Sequence, residues 1–310
     1  MELRQFRYFV AVAEELHFSR AAARLNIGQP PLSLQIQAIE RELGVTLLKR
    51  NRRRVELTDA GRLFLAEARA ALAQAAHAVS TAKRAARGEV GTLRLSFTTS
   101  APLISVFTRA VRSFREALPE VHIELRIRTS QQILDGLRLS HLDVGMIRPA
   151  AHSPIPAGIA AVRIHSDRLM LVLPAGHPLT GHRGPIPMNA IAAEKFVLRP
   201  QGSGAGFYEQ VFHLCARAGF TPNIVQEASE PPTTFGLVAA GIGITIAPAS
   251  LRAIRVEDIV WREIDVGERA VSSILMVYDA KVASPLRDRF IAIARAESRR
   301  RRAPGDSLGG

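Results

Sequence analysis

Over the first 57 residues, apolar positions recur at helical spacing, pause, recur again and then give way to a cationic cluster. Leu3, Phe6, Val10 and Ala13 give a first helix one apolar face. Ser19 stands where an N-cap belongs, ahead of the alanine-rich run from Ala21 to Leu25, with Phe18 placed as a staple. Asn26-Ile27-Gly28 supplies a turn, because Asn and Gly tolerate the left-handed backbone of a sharp corner. Pro30 and Pro31 open the next helix, where a missing N–H costs nothing. Leu32, Ile36, Ile39 and Leu43, spaced four, three and four residues apart, form its buried face, and Ser33, Leu34, Gln37 and Arg41 point outward. Lys49-Arg50-Asn51-Arg52-Arg53-Arg54 follows between Leu47, Leu48, Val55 and Leu57. Apolar shoulders around a basic tip describe a small hairpin wing.

A third long pattern starts at Thr58-Asp59 and runs to about Arg87, before Gly88. Leu65, Leu72, Val79 and Ala86 repeat every seven residues, with Ala68, Ala75 and Ala82 three further on. Larger residues alternating with alanine suit a close helix–helix contact, either a coiled coil or packing on the neighbouring domain. Beyond it, strand and helix patterns take turns: strands over 91–97, 121–128 and 144–147, helices over 106–118 and 131–139. From about residue 162 a second series begins, with segments 169–173, 196–198, 207–218, 224–228 and 244–248, then a strand over 272–278 and a closing helix over 285–296. That order predicts an α/β domain with a largely parallel sheet. Gly241-Ile242-Gly243 lacks the full dinucleotide-binding glycine pattern and reads as a helix end feeding a buried strand.

Composition narrows the class. A chain of 310 residues has room for two or three domains, and its net charge of +13 is consistent with a nucleic-acid partner. The single cysteine, Cys215, excludes an internal disulfide and lies in an apolar helical stretch, the setting of a buried structural thiol. The N-terminus carries Glu2, Arg4, Glu14 and Glu15 on an amphipathic helix rather than a secretion signal, and nowhere do about 18 uncharged apolar residues run together. A cytoplasmic protein without membrane association is expected. Nine histidines are scattered without metal-ligand spacing, and no Ser-His-Asp or Cys-His arrangement has supporting context, so neither cofactor, metal nor enzymatic activity is expected. The tail 299–310, starting with four arginines, reads as disordered.

Two sets of residues carry chemistry. Gln29 lies at the helix N-terminus, where recognition helices touch base edges, and its amide suits adenine; Ser33 can serve base or phosphate. The wing cations suit phosphates or the minor groove. In the second half, Thr98-Thr99-Ser100, Thr129-Ser130 and the glycine-rich 201–207 each follow a strand and precede a helix. Hydroxyls and free helix-terminal N–H groups of this kind cradle carboxylates, and Phe207 is placed to stack on a conjugated ligand.

The strings Ala21-Ala22-x-Arg24-Leu25, Gln29-Pro30-Pro31-Leu32-Ser33, Gln35-Ile36, Ile39-Glu40-Arg41-Glu42-Leu43-Gly44 and Leu57-Thr58-x-Ala60-Gly61 resemble the N-terminal domain of LysR-type transcriptional regulators, and the resemblance continues to about residue 298. It implies an α/β chain made of an N-terminal all-α winged helix-turn-helix (1–58), a linker and dimerisation helix (59–88) and a two-lobe effector domain of periplasmic-binding-protein type (91–300). Lobe I is expected at about 91–161 and 266–298, and lobe II at about 162–265. The implied DNA contacts are Ser19, Gln29, Pro30, Pro31, Ser33, Leu34, Gln37, Arg52, Arg53 and Arg54. The implied effector contacts are Thr99, Ser100, Ser130, Arg148, Gly202, Ser203 and Phe207; of these, Ser100, Ser130 and the loop ending at Phe207 match the benzoate- and muconate-responsive branch, with Arg148 at a basic position beside its effector sites.

Two departures concern the reader helix: Gly28 stands where the family often has Ser, and Leu34 where many members have Arg, so one phosphate or guanine contact gives way to a side chain suited to a thymine methyl. A third is the loop Gly202-Ser203-Gly204-Ala205-Gly206-Phe207, which lacks the branch's proline and keeps phenylpropionate-type and sulfonated aromatic acids open. The function implied is activation of a catabolic operon in response to a small aromatic or dicarboxylic acid, with a palindromic double-stranded DNA site, a second copy (dimer or tetramer) and RNA polymerase as partners. The alternative is a solute-binding protein using the same two-lobe cleft without a transcriptional role.

Overall fold

In the computed structural model, residues 1–51, 54–149, 154–199, 206–265 and 271–300 are described. The chain divides into two compact units, one ending at Ala86 and one starting at Arg87. Among the described residues no helix is long and apolar enough to cross a membrane.

The first unit holds α1 (Leu3–Glu15), α2 (Phe18–Arg24), α3 (Gln29–Leu43), the hairpin β1 (Leu48–Asn51) and β2 (Arg54–Leu57), and α4 (Asp59–Ala86). The apolar face of α1 is rotated from the expected one: Phe9, Ala11, Val12 and Ala13 are buried, whereas Leu3 stays exposed at the helix start. The reason is α4, whose Phe64 stacks on Phe6 at 5.7 Å and meets Phe9 edge-on at 4.9 Å, drawing that side of α1 inward. Helix α2 begins one residue before Ser19, and its N-cap is His17, whose Nδ1 accepts from the Arg20 N–H at 3.4 Å. Ser19 is thus an exposed residue of the first turn. Asn26 takes the left-handed turn position (φ 53°), while Gly28 has ordinary φ and serves as the N-cap of α3. Leu32, Ile36 and Ile39 are fully buried as expected, but Leu43 is exposed. The helix stops at Gly44 (φ 69°), which leaves Leu43 in its last turn.

The second unit opens with a parallel core. Strand β3 (Gly91–Phe97) pairs parallel with β4 (Val121–Ile127) and β5 (Val144–Ile147), with helices α5 (Ser105–Ala117) and α6 (Ser130–Arg138) as the crossovers. The chain then enters a 16-residue strand, β6 (Ile159–Pro174), rather than breaking near residue 162. Residues 159–168 mix exposed, partly buried and buried positions, whereas 169–173 are continuously buried, so one strand serves two environments. Strand β12 (Val271–Asp279) lies antiparallel between β5 and β6, and α9 (Pro285–Arg299) returns onto α5, where Phe114 and Phe290 meet edge-on at 5.3 Å. Arg299 ends this helix, one residue inside the stretch expected to be disordered; 301–310 lie outside the described residues.

The far end of β6 organises the second lobe. Strands β10 (Thr245–Pro248) and β11 (Ile259–Asp265) pair antiparallel with it, and β7 (Ile186–Pro187) adds to β11. Strands β8 (Lys195–Leu198) and β9 (Asn223–Glu227) pair parallel, with α7 (Gly206–Arg217) between them and α8 (Pro231–Ala239) leading to β10. The sheet is therefore mixed, not largely parallel, because β10, β11 and β12 all run against β6. Separate cores form, one around Leu95, Phe114 and Phe290 and another around Leu171, Phe196 and Cys215. Burial pushes the Cys215 thiol up to about 11, which keeps it in the unreactive thiol form at neutral pH.

Candidate DNA-reading and effector sites

In the first unit the exposed surface of α3 is laid out by the burial of its other face. Gln29, Pro30, Pro31, Leu34, Gln37 and Arg41 are all exposed, Leu34 to 60%, and Ser33 is half-buried. In the hairpin, Leu48 stands opposite Leu57 and Asn51 opposite Arg54. Arg52 and Arg53, at its tip, lie outside the described residues, as does the side chain of Arg54. What fixes the hairpin to the helix is Glu40, whose Oε1 accepts from the N–H groups of Leu47 and Leu48 at 2.9 and 3.0 Å. This anchor was not read from the sequence, where Glu40 appeared only inside a family string. Glu14 ties the remaining helices together by accepting from Arg24 of α2 (2.7 Å) and Arg69 of α4 (2.8 Å), and the hydrogen bonds from Arg69 and Arg24 lower its pKa. At the surface such pairs set orientation more than stability.

In the second unit three of the expected effector residues converge. Ser100 follows β3, Ser130 opens α6 after β4, and Arg148 follows β5, so all three sit at the carboxyl ends of neighbouring parallel strands. Arg148 Nε donates to Ser100 Oγ at 3.2 Å, and Ser130 Oγ donates to the Arg148 carbonyl at 3.3 Å. The cap of α6 is Thr129, which exchanges bonds with Gln132, leaving Ser130 to this separate task. Thr99 is half-buried on the same turn as Ser100, and the neighbouring Thr98 Oγ1 is buried without a hydrogen-bond partner among the described residues. Gly202 and Ser203 lie outside the described residues, as does the side chain of Phe207.

Arg148 is only 2% exposed, and each nitrogen of its guanidinium donates within the protein. Beyond Ser100, Nη1 donates to Ser272 Oγ (2.8 Å) and to the Ser272 carbonyl (3.2 Å), and Nη2 to Asp167 Oδ2 (2.8 Å). Asp167 also accepts from His165 Nε2 (3.0 Å), the Ser250 N–H (3.1 Å) and Ser250 Oγ (2.7 Å). His165 and Asp167 come from β6, Ser272 from β12 and Ser250 from the turn after β10. One buried network therefore joins first-lobe loops, the two long strands and the second lobe. Its carboxylate end is not singled out by the sequence reading; the available signal is the polar triplet His165-Ser166-Asp167 between apolar stretches. Among the described residues no group of three His, Cys, Asp or Glu side chains could hold a metal ion.

Comparison with known proteins decides the family. Residues 3–62 match the model of the bacterial regulatory helix-turn-helix protein, lysR family, and residues 86–299 that of the LysR substrate binding domain. The chain belongs to the LysR family of transcriptional regulators. Among relatives, the transcriptional regulator YnfL of Escherichia coli (strain K12) is 41% identical over 278 residues, 90% of this chain and 92% of YnfL. The probable cat1 operon transcriptional activator of Acinetobacter lwoffii is 38% identical over 284 residues, 92% of each chain. The crystal structure of full-length CbnR complexed with its target DNA superposes with a TM-score of 0.78 at 32% identity, covering 96% of this chain and all of that one. Residues 3–62 are thus the DNA-binding domain and 86–299 the effector-binding domain, which contains Ser100, Ser130 and Arg148.

Proposed function

We propose that this LysR regulator activates a catabolic operon when a small aromatic or dicarboxylic acid binds between its lobes. The observation that carries this reading is the convergence of Ser100 and Ser130 on Arg148, whose other bonds reach both long strands and, through Asp167, Ser250 of the second lobe. A ligand that re-engages the two hydroxyls acts on the same network that holds the lobes in one orientation. It can shift that orientation only by binding one arrangement more tightly than the other. Similarity to the cat1 operon activator supports activation rather than repression, and similarity to DNA-bound CbnR supports Gln29, Ser33, Leu34, Gln37 and the wing as the reading surface. The active assembly on this reading is a dimer or tetramer on a palindromic site, with RNA polymerase as the downstream partner.

The test pairs a gel shift on the DNA upstream of the gene with a reporter read in the presence of benzoate, cis,cis-muconate or 3-phenylpropionate. Ser100→Ala and Ser130→Ala should weaken the response to the active acid about tenfold or more while retention of DNA in its absence persists. Leu34→Ala should do the reverse, lowering operator affinity and base preference. Failure of the wild-type protein to retain its upstream DNA at low salt would sink the reading.

A further inference from the structure

The wing consists of two strands of four residues each, Leu48–Asn51 and Arg54–Leu57. A two-stranded hairpin of this size is marginal in water by itself, so its direction is set by what it is fastened to. At its base Leu47 and Leu48 are each 1% exposed and lie in the core of the helical unit, with Val55 and Leu57 partly buried against it. Such burial holds the hairpin down but is non-directional, so it leaves the angle of departure open. Hydrogen bonds supply the direction. The Thr58 N–H donates to the Leu47 carbonyl at 3.0 Å and Thr58 Oγ1 to the Thr46 carbonyl at 2.8 Å, which ties the end of the wing to its beginning. Glu40 does something different: one carboxylate oxygen, Oε1, accepts from the consecutive N–H groups of Leu47 and Leu48 at 2.9 and 3.0 Å, and so joins the wing to α3. Ile36 and Ile39 of the same helix are fully buried, which pins the segment that carries this carboxylate. The basic run Lys49 to Arg54 starts at the next residue of the chain.

We propose that Glu40 is the positioning residue of the wing, making α3 and the hairpin one reading body, so that the cations after Leu48 meet phosphates at the offset that docking of α3 sets. Two N–H groups on one charged acceptor form bonds stronger than neutral ones and fix an angle as well as a distance. By charge alone a carboxylate opposes binding to a polyanion, and its removal raises affinity and steepens the salt dependence. Positioning gives the opposite sign for both. This inference rests on the reading of α3 and the wing as the DNA-contacting surface given above, and adds the residue that couples the two.

The experiment follows the full chain by fluorescence anisotropy on two labelled duplexes, one from the DNA upstream of the gene and one of the same length with scrambled sequence, between about 50 and 200 mM salt. Glu40→Ala should bind the upstream duplex about tenfold or more weakly, with a slope of log affinity on log salt shallower by about one for each phosphate contact the wing gives up. Glu40→Gln, which keeps an uncharged acceptor at the same reach, should fall between wild type and Glu40→Ala. Glu40→Asp keeps the charge but ends one methylene short, and should resemble Glu40→Ala. Thermal melts check that each variant folds; if Glu40→Ala does not melt cooperatively, the order of Gln above Asp carries the test. Equal or higher affinity of Glu40→Ala overturns the proposal, and so does weaker binding with the wild-type slope, which is the mark of a general loss of stability. Leu34→Ala separates the two ideas. If it changes the preference for the upstream duplex while the Glu40 variants behave as wild type, the reading surface stands and Glu40 falls; if the wild-type chain binds neither duplex at low salt, both fall.

Discussion

Arg148 and Asp167 are nearly closed to water, at 2% and 5% exposure, so their charges depend on one another and on the groups around them. Burial would raise the Asp167 carboxyl, but the His165 hydrogen bond, the Arg148 charge and the Ser250 hydroxyl together hold it down at about 2. Burial lowers the Arg148 pKa against the opposing pull of Asp167, yet a guanidinium stays protonated wherever proteins fold. Asp167→Asn therefore leaves a buried cation without its counter-charge, and breaking such a pair costs about 3–5 kcal/mol. The loss should appear as a lower urea midpoint at neutral pH. The sign with pH follows from the depressed carboxyl: its contribution is fully present above its ordinary value of 3.8 and disappears as pH falls toward about 2. Wild type and variant should accordingly converge on acidification, and a stability gap that stayed constant through that window would show that the Asp167 charge is not what holds the network.

At the scale of elements, the junction of wing and linker helix is the most exacting fit in the N-terminal unit. Thr58 Oγ1 accepts from the Gly61 N–H at 2.8 Å, capping α4, and donates to the carbonyls of Thr46 and Leu47 at 2.8 and 3.2 Å. A Cβ at Gly61 would collide with the Leu47 carbonyl and press on Leu57 at 3.1 Å, at the base of both wing strands. Gly61→Ala should lower stability by about 1–3 kcal/mol and weaken operator retention, because the wing must move to admit the methyl. A variant with wild-type melting and DNA retention would mean that the junction is soft. This region was largely legible in the sequence, since caps, prolines and short-range periodicity are local signals. The cap at His17 and the exposure of Leu43 were not, because each depends on where a neighbouring helix starts or ends. The effector domain was legible as alternating elements, but β7 and β11 escaped because one has two residues and the other follows no clear alternation. The continuity of β6 escaped because the buried polar residue in its middle, Asp167, is held by partners far away in sequence, with Ser250 83 residues on. Ser100, Ser130 and Arg148 were named from loop chemistry and resemblance, whereas Asp167 and Ser250 acquire meaning only through three-dimensional neighbours.

At the scale of the whole molecule, α4 raises the question of what covers it. Its first half turns Ala68 inward with Leu65, Leu72 and Ala75 partly buried, but Val79, Ala82 and Ala86, which continue the same seven-residue pattern, are exposed, Val79 to 56%. A helix of 28 residues extends roughly 42 Å. An apolar stripe that outlasts its own domain suits pairing with the same helix of a second copy, which would bring two winged helices to the half-sites of a palindrome. Val79→Glu places a charge in that stripe without touching the α3 surface. Sedimentation should then report a smaller assembly at the same protein concentration. The operator titration should change in a linked way: with one reading head in place of two, the dependence of log affinity on log salt should fall to about half its wild-type slope, since that slope counts neutralised phosphates. A variant that keeps the wild-type mass and slope would remove α4 as the pairing surface. Reduced mass with an unchanged slope would instead mean that DNA reassembles the pair, and protein-concentration dependence of the gel shift would expose that coupling directly.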